Sequence, residues 1–120
     1  MNDAQLQKTV DGYTEKAEKH LKEVREKVIG KFTDGSFVSS FELEALLSGE
    51  VHALLWRSLK KRQGNGGSLR DALTLLKAKV EERIWDGGVM GSTSPLDNAM
   101  GIVQLRAQKR WVETVRGLIA

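Results

Sequence analysis

Cysteine is absent from this 120-residue sequence, which excludes disulfide bonds, thiolate metal ligands and thiol nucleophiles. Proline occurs once and β-branched residues are scattered, so the composition favours helix over strand. No stretch approaches the roughly 18 consecutive apolar residues of a transmembrane helix. Residues 1–10 lack the apolar core of a secretory signal. We therefore expect an all-α protein of the cytoplasm with no membrane partner.

The residue patterns of active sites are absent too. The two histidines, His20 and His52, fall on different predicted helices, and neither has another His or Cys at ligand spacing, so we expect no metal site. Neighbouring acidic residues such as Glu81 and Glu82 do not face one another on a helix, which excludes a general acid/base pair. No nucleophile–histidine–carboxylate set is present. We predict a protein that is not an enzyme, has no catalytic residue and binds no cofactor.

Apolar residues at spacings of three and four predict about four helices, packed as a bundle in one domain over residues 1–120. Residues 1–35 are predicted to form a long amphipathic helix, which Gly30 ends, and a connector in which Phe32 and Phe37 bury their rings beside a turn. Residues 39–120 are predicted to form a three-helix core. In this interpretation the second and third helices are the central pair, and the first helix covers them.

The starts of the other three helices carry capping residues. Ser39 is the expected N-cap of the second helix, and Glu42 completes a capping box. Ser68 is the expected cap of the third helix, and Pro95 occupies the first turn of the fourth. The glycine-rich segment 64–67 precedes a helix, where free amides can bind anions. It also follows a helix and has no phosphate-binding lysine, so we interpret it as an interhelix link.

The fourth predicted helix has apolar residues on two sides. Its main stripe includes Trp111, and a second stripe recurs at intervals of three and seven. A helix that is apolar on two sides touches two partners, and in so small a chain we expect one of them to be a second copy of the chain. The candidate interface residues of this homo-oligomer are Ile102, Leu105, Val112 and Ile119.

Basic residues are in excess in the later part of the sequence. Residues 1–35 hold seven basic and seven acidic side chains, so the net charge of +3 arises entirely from residues 36–120. Cations near Trp56 and Trp111 suit phosphate contacts and base stacking, although cations at helix C-termini also stabilise the helix dipole. The loose 64–67 link argues against a helix-turn-helix motif. The candidate nucleic-acid contacts are Arg57, Lys60, Lys61, Arg62, Arg106, Lys109 and Arg110.

Two segments of the sequence follow a family pattern. A predicted helix that starts with SLRDAL at 68–73 is followed, after a short glycine-containing loop, by one that starts with SPLDNAM at 94–100. This arrangement resembles the small terminase subunits of short-tailed bacteriophages. The resemblance implies a ring-forming, non-enzymatic protein that helps to recognise viral DNA and regulates the large terminase motor. The long first helix and the 64–67 link have no counterpart in that pattern.

These observations favour one function and leave a second open. The first is a DNA-packaging or virion-assembly protein of a bacteriophage or prophage. It would act as a homo-oligomer that contacts double-stranded DNA and a large motor or virion protein. The alternative is a small helical module that regulates or inhibits a larger machine by protein–protein contact and has no affinity for DNA.

Overall fold

Four α-helices make up most of the part of the chain that the computed structural model describes, residues 1–64, 67–85 and 95–120. They are α1 (Asp3–Thr33), α2 (Ser40–Gln63), α3 (Leu69–Trp85) and α4 (Pro95–Ile119). The all-α prediction, with a long N-terminal helix, is confirmed. Residues 65 and 66 of the predicted 64–67 link lie outside the described residues. None of the helices in the three ranges is long and apolar enough to cross a membrane.

α1 and α2 form a long antiparallel hairpin. Side chains of the two helices pair near both of its ends. Gln63 Nε2 donates to Gln7 Oε1 at 2.7 Å near one end, and Lys31 Nζ lies 2.6 Å from Glu42 Oε1 near the other. These contacts define the register of the hairpin, and the register decides which side chains of α1 and α2 share a surface.

α1 continues past Gly30 and ends at Thr33, so the prediction that Gly30 ends the helix is wrong. One glycine inside a helix costs about 1 kcal/mol, and the helical hydrogen bonds of the last turn offset that cost. The Asp34 N–H donates to the Gly30 carbonyl at 3.0 Å and closes the helix. The chain then reverses at Gly35, whose φ of +71° is a left-handed conformation that glycine adopts without strain.

The rings of Phe32 and Phe37 face solvent, and the prediction that they are buried beside the turn is wrong. Phe32 is 66% exposed and Phe37 is 84% exposed. The main core cluster takes Leu6 and Val10 from the first turns of α1, at the other end of the hairpin. The core therefore does not extend to the two rings.

An apolar core joins all four helices near the open end of the hairpin. Trp111 of α4 is fully buried, and its ring meets Trp56 of α2 edge to face, with ring centroids 5.6 Å apart. Trp56 stacks in turn on Tyr13 of α1 at the same centroid distance. Such aromatic pairs attract one another beyond the area that they bury, so the three rings tie α1, α2 and α4 together. The core residues are Leu6, Val10, Leu55, Trp56, Leu59, Leu69, Leu73, Leu76, Val80, Trp111, Val112, Val115 and Leu118.

α4 packs extensively on both α2 and α3. α2 also packs along α1, whereas α3 meets α1 and α2 less extensively. The central pair is therefore α2 and α4, and not the predicted pair of α2 and α3. Because α4 is apolar on two sides and carries Trp111, it buries most surface when it lies between two helices.

The expected cap of α3 agrees with the structure, and Ser94, the N-cap that the sequence predicts for α4, lies outside the described residues. The Asp71 N–H donates to Ser68 Oγ at 3.1 Å, directly before the first turn of α3. α4 begins at Pro95, as its sequence predicts. Short polar residues and proline thus specify where these helices start.

The predicted capping box at the start of α2 is confirmed. Ser39 Oγ accepts from the Glu42 N–H at 3.2 Å, and Glu42 Oε1 accepts from the Ser39 N–H at 3.3 Å. We expect Ser39→Ala to lower the free energy of unfolding by about 1 kcal/mol, measured by urea denaturation. Ser40→Ala is the matched control, because Ser40 is exposed and lies outside the box. An equal loss in both variants would show that the cap does not stabilise α2.

Candidate nucleic-acid interface

Arg57, one of the predicted contacts on α2, is paired with an acidic residue of α1. Its Nε lies 2.5 Å from Glu18 Oε1, and its Nη2 donates to Glu18 Oε2 at 2.6 Å. This hydrogen bonding, with a smaller contribution from the charge of Arg57, lowers the pKa of the Glu18 carboxyl below its ordinary value. The guanidinium charge is already compensated, so Arg57 is less suited to a phosphate than a free cation is.

The other α2 cations follow Arg57 in the last turns of the helix. Lys60 lines a groove between α1 and α2, Lys61 is exposed and Arg62 is half-buried. Lys60 and Lys61 lie three and four residues after Arg57, so they share its side of the helix. The Glu18 carboxylate on that side neutralises Arg57 and makes this group less suited to phosphates.

Arg57 is expected to matter little for stability or for DNA binding. Its side chain and that of Glu18 are 47% and 38% exposed, and surface pairs of this kind contribute about 0.2–1 kcal/mol. We expect Arg57→Gln to change the free energy of unfolding by less than about 1 kcal/mol and to keep the DNA affinity close to that of the unmodified chain. Urea denaturation and fluorescence anisotropy measure the two quantities. A large loss of affinity in Arg57→Gln alone would return Arg57 to the set of contacts.

The α4 cations form a compact exposed group. Arg106 and Arg110 are one turn apart on the same side of the helix, and Lys109 lies beside them. All three are exposed, and the ion pairs within the described ranges use other residues. Exposed cations without a compensating carboxylate are suited to neutralise phosphates.

Arg106 and Arg110 border a cleft between α1, α2 and α4. It consists of two adjoining depressions of about 340 and 330 Å³, which share His20, Ser48 and Arg110. We call it the α1–α2–α4 cleft. Its other lining residues are Phe41, Glu44, Ala45, Val103, Arg106 and Ala107 in one depression, and Tyr13, Lys16, Ala17, Gly49, His52 and Trp56 in the other.

Gly49 allows α1 to lie close to α2 within the cleft. The residue is buried, and a Cβ at this position would stand 3.4 Å from Leu21 Cδ1. A side chain larger than alanine would therefore push α1 away from α2. The close approach brings His20 of α1 and His52 of α2 to the same cleft.

The cleft is basic. Burial lowers the pKa of His52 below its ordinary value, and the nearby charges of Arg110 and His20 lower it further. The acidic residue that lines the cleft, Glu44, forms no ion pair with another described residue. The basic lining residues are Lys16, His20, His52, Arg106 and Arg110.

The lowered pKa of His52 predicts a pH dependence of stability. The unfolded chain takes up a proton at His52 near the ordinary pKa of 6.5, whereas the folded chain takes it up at lower pH. The unfolded state therefore binds more protons between the two values, and stability falls as the pH drops from about 6.5 through this interval. We expect His52→Gln to reduce the loss of stability between about pH 7.5 and about pH 5, measured by urea denaturation. An identical pH profile in this variant would contradict the expectation.

The sequence interpretation treated His20 and His52 one at a time and missed the cleft. Their meeting depends on the register of the α1–α2 hairpin, which local patterns do not contain. A partial signal was present, because Lys16 and His20 are one turn apart on α1, and a basic pair with the same spacing lies on α4. Two such basic pairs predict a shared basic site once the helices that carry them are known to be neighbours.

The predicted oligomer-interface residues of α4 fall in different environments. Val112 is 4% exposed and belongs to the core, and Ile119 packs against that core. Leu105 is half-buried, whereas Ile102 is 43% exposed. α4 packs on both α2 and α3, so part of its apolar surface finds partners within one chain. Val112 is therefore outside any surface that a second copy could reach.

Metal binding and relationships to other proteins give no further guide to function. The described residues contain no group of three or more His, Asp or Glu side chains placed to hold a metal ion. Comparisons with protein-family models, curated proteins and solved structures find no match. The side chains of the site are therefore the observations that bear on function.

Proposed function

We propose that this chain is a non-enzymatic DNA-packaging or virion-assembly protein of a bacteriophage or prophage that contacts double-stranded DNA in the host cytoplasm. The observation that carries the proposal is the exposed group of Arg106, Lys109 and Arg110 on α4. No acidic residue pairs with it in the described part of the chain. The phosphates of DNA are the ligand that such a group fits.

α4 holds these cations on a rigid support. Arg106 and Arg110 are separated by about one helical pitch, 5.4 Å, so both guanidinium groups can reach phosphates of the same strand. Lys16 extends the basic surface to α1 across the cleft. On its inner side α4 is anchored by Ala107 and Trp111, which are buried. The arrangement supports contact with the DNA backbone rather than with base edges.

The assembly part of the proposal draws on the family resemblance and on the surface of α4. Ile102 is exposed and Leu105 is half-buried, so both remain candidates for contact with a second copy. We propose a homo-oligomer that presents several copies of α4 to one duplex, with a large motor or virion protein as a further partner. Repeated copies strengthen weak phosphate contacts, because each further contact becomes intramolecular.

Salt-dependent DNA binding tests the proposal. Three phosphate contacts per chain give a slope of about −2.7 for log K against log salt concentration, measured by fluorescence anisotropy with a short duplex. Native mass spectrometry of the same sample reports whether copies of the chain assemble. Absence of binding at low salt would overturn the DNA contact. A strict monomer, with and without DNA, would overturn the assembly.

A protein–protein module is the second candidate function, and the exposed phenylalanines favour it. Phe32, Phe37 and Phe41 lie near the α1–α2 turn and are 66%, 84% and 77% exposed. An aromatic side chain buries about 150–250 Å² on association, so three exposed rings suit a protein surface. This function predicts no affinity for DNA and a complex of fixed stoichiometry with a larger protein of the same cell. Phe37→Ser combined with Phe41→Ser would dissociate that complex in gel filtration, whereas a variant without Arg106 and Arg110 would retain it.

A further inference from the structure

Three helices bring basic side chains to one cleft, and Glu44, the acidic residue that lines it, forms no ion pair with another described residue. The two depressions of the α1–α2–α4 cleft meet at His20, Ser48 and Arg110. An anion at this junction is within reach of side chains from all three helices, and the Ser48 hydroxyl is a further donor. The titratable and charged groups that face it are Tyr13, Lys16 and His20 of α1, Glu44 and His52 of α2, and Arg106 and Arg110 of α4.

We propose that this cleft binds a phosphate group and that His52 becomes protonated when it is occupied. The inference rests on the proposed function for the source of the phosphate, which is the DNA backbone. A free phosphate compound has the same chemistry, and the experiment below separates the two sources. The negatively charged oxygens of a phosphate are hydrogen-bond acceptors that match the guanidinium of Arg110 and the imidazolium ring of His52.

An anion reverses the electrostatics of His52. Without one, Arg110 and His20 disfavour a positive charge on His52. The negative charge of a phosphate favours it, so a proton is taken up on binding. By linkage, affinity then rises as the pH falls, by at most about tenfold per pH unit for His52. Occupancy of the cleft and protonation of His52 are one coupled event, in the pH range where histidine titrates.

Histidine proton NMR of the full chain tests this coupling. The signals are assigned with His20→Gln and His52→Gln and are titrated alone, with a short DNA duplex, and with inorganic pyrophosphate. We expect both ligands to raise the titration midpoint of His52. We also expect the DNA affinity at fixed salt to rise about tenfold from about pH 7.5 to about pH 5.5.

The variant that carries both histidine substitutions is expected to lose this rise. Arg57→Gln is the matched control, because it removes a basic residue outside the cleft, and it retains the rise. His20 is exposed, so His20→Gln alone reports a smaller effect of pyrophosphate on the His52 signal even if the double variant does not fold.

The outcomes separate this inference from the proposed function. If DNA binds without moving the titration midpoint of His52, and the double variant shows the same pH profile, the inference is overturned. The DNA contact then lies on the exposed side of α4. Midpoints raised by pyrophosphate without any DNA binding would support the cleft as a site for a free phosphate compound and overturn the proposed function. A titration midpoint of His52 that neither DNA nor pyrophosphate moves would overturn the inference.

Discussion

Trp111→Ala is expected to lower the free energy of unfolding by about 3–5 kcal/mol. Trp111 is 0% exposed, and its ring connects α4 to Trp56 of α2 and, through Trp56, to Tyr13 of α1. Truncation removes these contacts and leaves a cavity that the surrounding helices fill in part. Domains of this size are stable by about 5–15 kcal/mol in total, so the variant loses a large share of its stability. Urea denaturation followed by circular dichroism measures the loss.

Trp111→Phe tests the contribution of the indole N–H to stability separately from the packing of the ring. Trp111 Nε1 is buried and has no hydrogen-bond partner among the described residues. Phenylalanine keeps a ring in the core and removes an N–H whose unpaired burial costs about 1–3 kcal/mol. We expect this variant to lose less than about 2 kcal/mol. If it is destabilised as much as Trp111→Ala, the indole N–H and not the ring is the stabilising group.

Combined replacement of Arg106, Lys109 and Arg110 by alanine is expected to lower DNA affinity by about 10²–10³-fold near 0.1 M salt. Each phosphate contact releases counterions, so the loss of three contacts also makes the slope of log K against log salt concentration shallower by about 2.7. The three side chains are exposed, and their removal leaves the core intact. Fluorescence anisotropy over a range of salt concentrations measures both the affinity and the slope.

A second triple variant controls for net charge in that experiment. Lys8, Lys22 and Lys79 are exposed cations of α1 and α3, and their replacement by alanine changes the net charge by the same amount. We expect this control to weaken binding slightly, through the long-range field alone. Equal losses of affinity and slope in the two variants would contradict a localised contact on α4 and would assign the binding to overall charge.

Helix starts and buried faces were predictable because the interactions that set them are local. The capping box of Ser39 and Glu42 lies within one turn, so the residue types and their spacing were enough to predict it. The apolar face of α3 follows from helical periodicity in the same way, since Leu69, Leu73 and Leu76 are all buried.

The end of α1 was predicted less well because it depends on a neighbouring helix as well as on propensity. Gly30 is a weak stop signal that costs about 1 kcal/mol, an amount comparable to one tertiary contact. Lys31, one residue later, pairs with Glu42 of α2 at 2.6 Å, and the last turn forms against that partner. The positive φ of Gly35 then reverses the chain.

Periodicity in the sequence determines which sides of each helix avoid water, but it does not identify the surface that covers them. The two apolar sides of α4 were visible in the sequence, yet the pattern did not show that α4 packs on both α2 and α3 of the same chain. The basic cleft was not predictable for the same reason, because His20, His52 and Arg110 meet only through the packing of three helices. Apolar burial is non-directional, so the choice of neighbours depends on how side chains distant in sequence fit together, and the tertiary structure decides it.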